Sequence, residues 1–282
     1  MLFPENIGEL LSLDETEMSN GELYTILTNK SAKGKQGSIV AMVAGTKSEE
    51  VASVINKIPI TKRQIVQEVT VDMANNMNLI VRRSFPQATI VIDRFHVQKL
   101  AGDAVQDIRI KFRWEAIDKE NQELEMAKNE NYKYTPNTFS NGDTIKQLLA
   151  RSRHLLFKPE TRWTSSQFVR SKILFEQYPD IEKAYHLSQK LSYIYENNTN
   201  KNTARTKLAH WYKDVEKSEF KAFNTVARSI YLHYDNILNY FNNRSTNASA
   251  ESFNAKIKRF RAEFRGVKDL QFFLFRLTRI FA

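Results

Sequence analysis

Residues 69–100, VTVDMANNMNLIVRRSFPQATIVIDRFHVQKL, set the organisation of this chain. The run Ile65–Val71 is rich in β-branched residues and leads into Asp72. Met77, Leu79, Ile80 and Val81 then recur as on a helix, which must stop before Pro86. Thr89–Ile92 is a short apolar run with the character of a buried strand, and it ends at Asp93. A strand, a helix and a strand follow in this order, and each strand delivers an aspartate at its C-terminal end or just past it. Ligands bind at that edge of an α/β sheet, where loops from separate strands bring groups together.

Three more strands are expected upstream. Leu10–Leu13 is a short apolar run ending at Asp14, and Glu22–Thr28 and Ser38–Ala44 are β-rich. The intervening NKSAKGKQG carries turn-forming Asn and Gly and predicts a hairpin. Ser48–Glu50 opens a helix continued by Val51, Val54, Ile55 and Ile58. The order is strand, strand, strand, helix, strand, helix, strand, and the expected fold class is α/β. From residue 97 to 243 strand-like runs disappear and helical patterns take over, broken at residues 135–143, Pro159, Pro179 and 197–203. This stretch reads as a helical insertion between a first core segment (1–96) and closing helices (244–282). In the closing segment Ser245, Thr246 or Asn247 can cap a helix. At roughly 100° per residue, Glu251 shares a face with Asn254 and Lys258, opposite Phe253, Ile257, Phe260 and Phe264.

The composition narrows the chemistry. Of 282 residues, 42 are Lys or Arg against 32 Asp or Glu, a net charge of +10 that favours a polyanionic partner, nucleic acid first. The chain has no cysteine, which excludes disulfides, Cys-ligated zinc and a Cys nucleophile. No apolar run reaches membrane-spanning length and the first residues lack a secretory leader, so a cytoplasmic location with no membrane partner is expected.

Four acidic positions then stand out: Asp14, Asp72, Asp93 and Glu251. Phosphodiester cleavage needs charge stabilised on the attacking and leaving oxygens, which two Mg²⁺ (or Mn²⁺) ions held by a few carboxylates provide. Taken singly, a strand-end aspartate is more often a turn or cap residue and a helical glutamate a solvated charge.

The stretch at 69–100 resembles the core of the ISL3-type DDE transposases of bacterial insertion sequences. The tail RSTNASAESFNAKIKRFRAEFRGVKDLQFFLFRL (244–277) resembles that family's second signature, and LSLDET (11–16) and LLFKPETRW (155–163) add weaker matches. The resemblance implies a ribonuclease-H-like mixed-sheet core with a large all-helical insertion before the helix carrying the glutamate. It implies metal-dependent hydrolysis at transposon ends followed by strand transfer into target DNA, by a homo-oligomer assembled on DNA. Mapped by strand order, it makes Asp14, Asp72 and Glu251 the catalytic and metal-binding set. Asp93 is the rival to Asp14. With His96 it forms an Asp-x-x-His pattern that resembles a near-site motif of related transposases, and a structural Asp–His hydrogen bond is the alternative. Asn254 is the third auxiliary residue. Arg94, Arg162, Lys256, Lys258, Arg259, Arg261 and Arg265 are candidates for DNA phosphate contact, with a solvated helix face as the alternative for the run around Lys258. Trp163 either stacks on a displaced base or packs between helices. Family members usually carry an N-terminal zinc and helix-turn-helix region, so end recognition is expected to be either absent or supplied by another polypeptide. A catalytically silent DNA-binding protein and a structure-selective nuclease are the competing readings.

Overall fold

The computed structural model describes residues 1–17, 21–264 and 269–282. Five strands form one mixed sheet in the order β3-β2-β1-β4-β5: β1 (Leu10–Glu17), β2 (Leu23–Asn29), β3 (Ile39–Ala44), β4 (Glu68–Val71) and β5 (Thr89–Ile92). β1 pairs antiparallel with β2 and parallel with β4, while β5 runs parallel to β4. The antiparallel half needs only short connections, and the one between β2 and β3 is rich in polar residues and Gly. The parallel half needs crossovers, which α1 (Ser48–Ile55), α2 (Ile60–Arg63) and α3 (Asn75–Ser84) supply. α3 buries Met77, Ile80 and Val81 at helical spacing, and its end at Ser84 comes two residues before Pro86.

The bounds of β2 and β3 shift by one residue from the sequence reading, and β1 and β4 differ more. β1 does not stop at Asp14 but continues to Glu17, because its far end is zipped to β2 through Glu17 opposite Leu23. β4 begins at Glu68 rather than Ile65. Gln67 and Glu68 both donate to the Glu9 carbonyl, so pairing to β1 starts only there, and Ile65 is left exposed after the turn of α2.

The chain divides into two compact units. The first holds residues 1–97, 199–201 and 233–282. Its closing helices are α10 (Tyr234–Leu238), α11 (Tyr240–Asn243), α12 (Ala248–Glu263) and α13 (Leu270–Phe281). α10 lies on β5, and Asn239 donates 2.9 Å to the Ile90 carbonyl, so α10 and α11 group with the sheet although they fall within residues 97–243. α12 and α13 bury Phe253, Ile257, Phe273, Leu274 and Leu277 with Tyr24, Ile26, Ile39 and Met42. Burial of this aromatic-rich set against β2 and β3 removes apolar area from water and fixes α12 on the sheet.

The second unit holds residues 98–198 and 202–232 and is helical. It contains most of α4 (Arg94–Asn129), with α5 (Ile145–Arg151), α6 (Ser165–Gln177), α7 (Pro179–Glu196), α8 (Lys201–Ser218) and α9 (Lys221–Leu232). Capping boxes start α5 at Thr144 with Gln147 and α6 at Thr164 with Gln167. Its core includes Leu148, Leu156, Leu174, Tyr185 and Trp211, whose indole donates 2.9 Å to the Leu187 carbonyl. Trp163 belongs to this packing. Its indole donates 2.8 Å to Leu155, and its ring lies 5.4 Å from that of Tyr185 and 6.2 Å from that of Phe175.

Candidate active site

The register of the sheet builds the site. Ser12 of β1 pairs with Thr70 of β4, and Val71 of β4 pairs with Ile92 of β5. Continued two residues past Ser12 and Thr70, and one past Val71 and Ile92, this register aligns Asp14 of β1 with Asp72 and Asp93, which directly follow β4 and β5, in one row. Alternation along a strand gives such a row a common face. That face is the one covered by α12, because Ile26, the β2 partner of Asp14, packs in the cluster with Phe253 and Ile257.

The helix brings the fourth carboxylate. Phe253 and Ile257 are buried on the sheet side of α12, which leaves Glu251 and Asn254 half-buried beside the aspartate row. Asn254 donates a 2.7 Å hydrogen bond to Asp14 Oδ2, and the Glu15 N–H donates 2.9 Å to Asp14 Oδ1. Asp72 is held by its own turn, accepting 2.8 Å from the Ala74 N–H. Asp93, fully buried, accepts 3.4 Å from the Phe95 N–H at the start of α4. Single ligand atoms of Asp93, His96 and Glu251 lie within 4.8 Å of one another. Asp14 and Asp72 are outside that group, but both act electrostatically on it or on each other.

Crowded carboxylates out of water resist ionisation. Burial pushes the Asp14 carboxyl up to about 6, the Glu15 N–H opposes this, and the charge of Asp72 adds to it. Further out, His96 lowers the value and Glu251 raises it. Burial also raises Glu251, with Asp93 adding and His96 opposing. Such a set has oxygen donors, one imidazole and an excess of negative charge, which fits a hard divalent cation.

Residues that sequence reading passed over complete the surroundings. His233, just before α10, is pulled down by burial and up by the charge of Asp72. Beneath the row, Lys30 lies 3.5 Å from Glu68, hydrogen-bonds the Thr70 hydroxyl, and has a side chain only 12% exposed. Asn243 of α11 donates 3.3 Å to Glu68. A signal for this group exists at β4, where Glu68 and Thr70 alternate onto one face of a buried strand and Asp72 follows its last residue. Nothing local marks His233, Lys30 or Asn243.

The basic candidates have separate fates. Arg94 donates 3.4 Å to the Tyr240 hydroxyl, and Lys256 donates 2.9 Å to the Gly34 carbonyl in the β2–β3 connection. Arg261 lies over the Phe273 ring at 4.9 Å, and Arg259 pairs with Glu263 at 3.2 Å on an exposed face. Lys258 and Arg162 are exposed, Arg162 on a short 3-10 turn of the helical unit. Arg265 lies outside the described residues.

Over residues 11–277 the chain matches a DDE, ISL3-type family described as transposase. It is 24% identical over 275 residues to the transposase for insertion sequence element IS1001 of Bordetella parapertussis. That likeness covers 97% of this chain, which spans 61% of the length of the relative. No solved structure matches.

Proposed function

Because this chain belongs to the ISL3-type DDE transposases, we propose that it cuts insertion-sequence ends and joins them to target DNA. The observation that carries the proposal is the row of Asp14, Asp72 and Asp93 facing α12, with Glu251 and the 2.7 Å Asn254–Asp14 hydrogen bond. The strand order, with β1 antiparallel to β2 and parallel to β4, supports a ribonuclease-H-like core into which the helical segment is inserted.

In this reading Asp14, Asp72 and Glu251 hold two Mg²⁺ or Mn²⁺ ions, and Asp93 with His96 adds donors beside Glu251. Bound divalent ions supply the positive charge that offsets what builds on the attacking and leaving oxygens of the phosphodiester. The protein's part is placement. Asn254 and the Glu15 N–H fix the plane of the Asp14 carboxylate, the Ala74 N–H fixes that of Asp72, and apolar packing of α12 sets the reach of Glu251. Pre-set ligands avoid the cost of ordering them when substrate arrives. Duplex DNA, both transposon end and target, is the substrate. A homo-oligomer holds the two ends together, and a separate polypeptide or segment reads the end sequence. No helix among the described residues is long and apolar enough to cross a membrane. A cytoplasmic location, where the DNA substrate is met, is part of the proposal.

The test is Mg²⁺- or Mn²⁺-dependent nicking and joining of duplex DNA by wild type, Asp72→Asn and Glu251→Gln. Loss of both products in folded variants is expected. Full metal-dependent activity in either variant would remove that residue from the set. Binding without cleavage by wild type would favour a silent DNA-binding protein, and cleavage of branched DNA without joining would favour a structure-selective nuclease.

A further inference from the structure

The helical unit gathers three guanidiniums with no acidic partner among the described residues. Arg109 and Arg113 stand one turn apart on α4, where residues four apart are neighbours. Arg153 comes from the turn after α5, and the Gln106 side chain ties its backbone to the Arg109 side chain. Gln106 accepts 2.7 Å from Arg109 Nε through its oxygen and donates 3.2 Å to the Arg153 carbonyl through its nitrogen. Arg109 also donates 2.8 Å to the Leu149 carbonyl near the end of α5 and is only 4% exposed.

All the partners seen for Arg109 are neutral. The ion pairs of this unit lie elsewhere: Arg151 and Arg170 on Asp143, Lys146 on Glu120, Lys190 on Asp214, Lys111 on Glu115 and His186 on Glu182. Among the described residues, none involves Arg109, Arg113 or Arg153. Arg113 Nε is moreover buried with no hydrogen-bond partner. Burial, then the charges of Arg113 and Arg153, hold the Arg109 guanidinium below its ordinary range. Capping of the α5 carbonyls accounts for Arg109 alone. It does not account for two further guanidiniums whose charges bear on the buried one, an arrangement that costs free energy unless an anion joins it.

We propose that Arg109, Arg113 and Arg153 form a phosphate site on the helical unit that seats the DNA backbone. Arg113, half-buried, and Arg153, exposed, meet the phosphate oxygens, and Arg109 adds its field from behind. Guanidinium suits this task because its planar fork of donors matches phosphate oxygens and its charge is weakly hydrated. Contacts of this kind hold and orient DNA without reading its sequence. The proposal rests on the reading that DNA is the substrate, and it adds a place where the helical unit holds it.

The test uses the full chain with a random-sequence duplex and, separately, inorganic phosphate. The variant is Arg113→Gln with Arg153→Gln, which leaves the buried Arg109 and its helix cap in place. A control, Lys128→Gln with Lys133→Gln, removes the same charge from exposed positions. The expected result is weaker duplex binding by the arginine variant, with the slope of log affinity against log salt shallower by about 0.9 for each phosphate no longer neutralised. Phosphate should raise the melting temperature of wild type and control but not of the arginine variant. An arginine variant that binds duplex like wild type, or a control weakened as much, would overturn the site. If wild type ignores duplex yet phosphate protects it through these arginines, the site stands as an anion site and the DNA reading fails. Absence of both responses in wild type overturns the site too.

Discussion

Asn254, on α12, donates a 2.7 Å hydrogen bond to the carboxylate of Asp14, 240 residues earlier in the middle of β1. This bond ties the helix that brings Glu251 to the strand that brings the first aspartate. It also holds one oxygen of Asp14 in place while Glu15 holds the other. Asn254→Ala should therefore lower Mg²⁺ affinity by roughly 10–100-fold, the usual effect of losing a group that orients a ligand. Titration calorimetry on folded protein checks this. Unchanged affinity would mean that the hydrogen bond serves packing alone.

A pH dependence follows from Asp14. Its carboxyl goes from an ordinary value of 3.8 to about 6 on folding, chiefly through burial. The folded state thus holds this proton more tightly than the unfolded chain. Below the unfolded value both states are protonated and there is no penalty. As pH rises toward 6 the unfolded chain ionises first, and metal-free stability falls by on the order of 2–3 kcal/mol from this group. Above 6 the loss is complete. Denaturant titrations from pH 4 to 7 should show Asp14→Asn gaining on wild type across this window. A constant difference between the two would count against the assignment.

Removing Lys30 should be more damaging than removing both members of its pair. Its partner Glu68 is 3% exposed and would be left as a buried, uncompensated charge, at a cost of about 3–5 kcal/mol for Lys30→Met. Adding Glu68→Gln should recover a large part of that loss. Urea unfolding of the single and double variants measures it, and additive losses would show that the two side chains do not act on one another.

Trp163 is assigned to packing, and the variant Trp163→Phe separates this from base stacking. It keeps a ring near Phe175 and Tyr185 but loses the indole hydrogen bond to Leu155, worth roughly 0.5–1.5 kcal/mol. Duplex affinity should not change. A variant of wild-type stability with weakened DNA binding would restore the stacking role.

Much of the sheet was legible because its strands are short and apolar and end in recognisable turns. Asp72 and Asp93 could be found from Val69–Val71 and Ile90–Ile92 alone, since a buried run that stops at a carboxylate marks a strand edge. The closing helix was readable in the same way. Phe253 and Ile257 at helical spacing mark the apolar stripe of α12 and leave Glu251 and Asn254 together on its polar face.

Position along the chain says less about what converges. Local patterning was enough for the α/β class, the carboxylates at strand ends and the amphipathic face of α12, because each depends on periodicity and chain-breaking residues. That Asp14, Asp72 and Asp93 share a row could not be read this way, since it depends on the register between β1, β4 and β5. Folding in three dimensions put Lys30 and Asn243 around Glu68, and joined the Arg153 carbonyl to Arg109 through Gln106. Such groupings come from long-range packing, where residues far apart in sequence meet because burial of the apolar faces leaves their polar groups no other place.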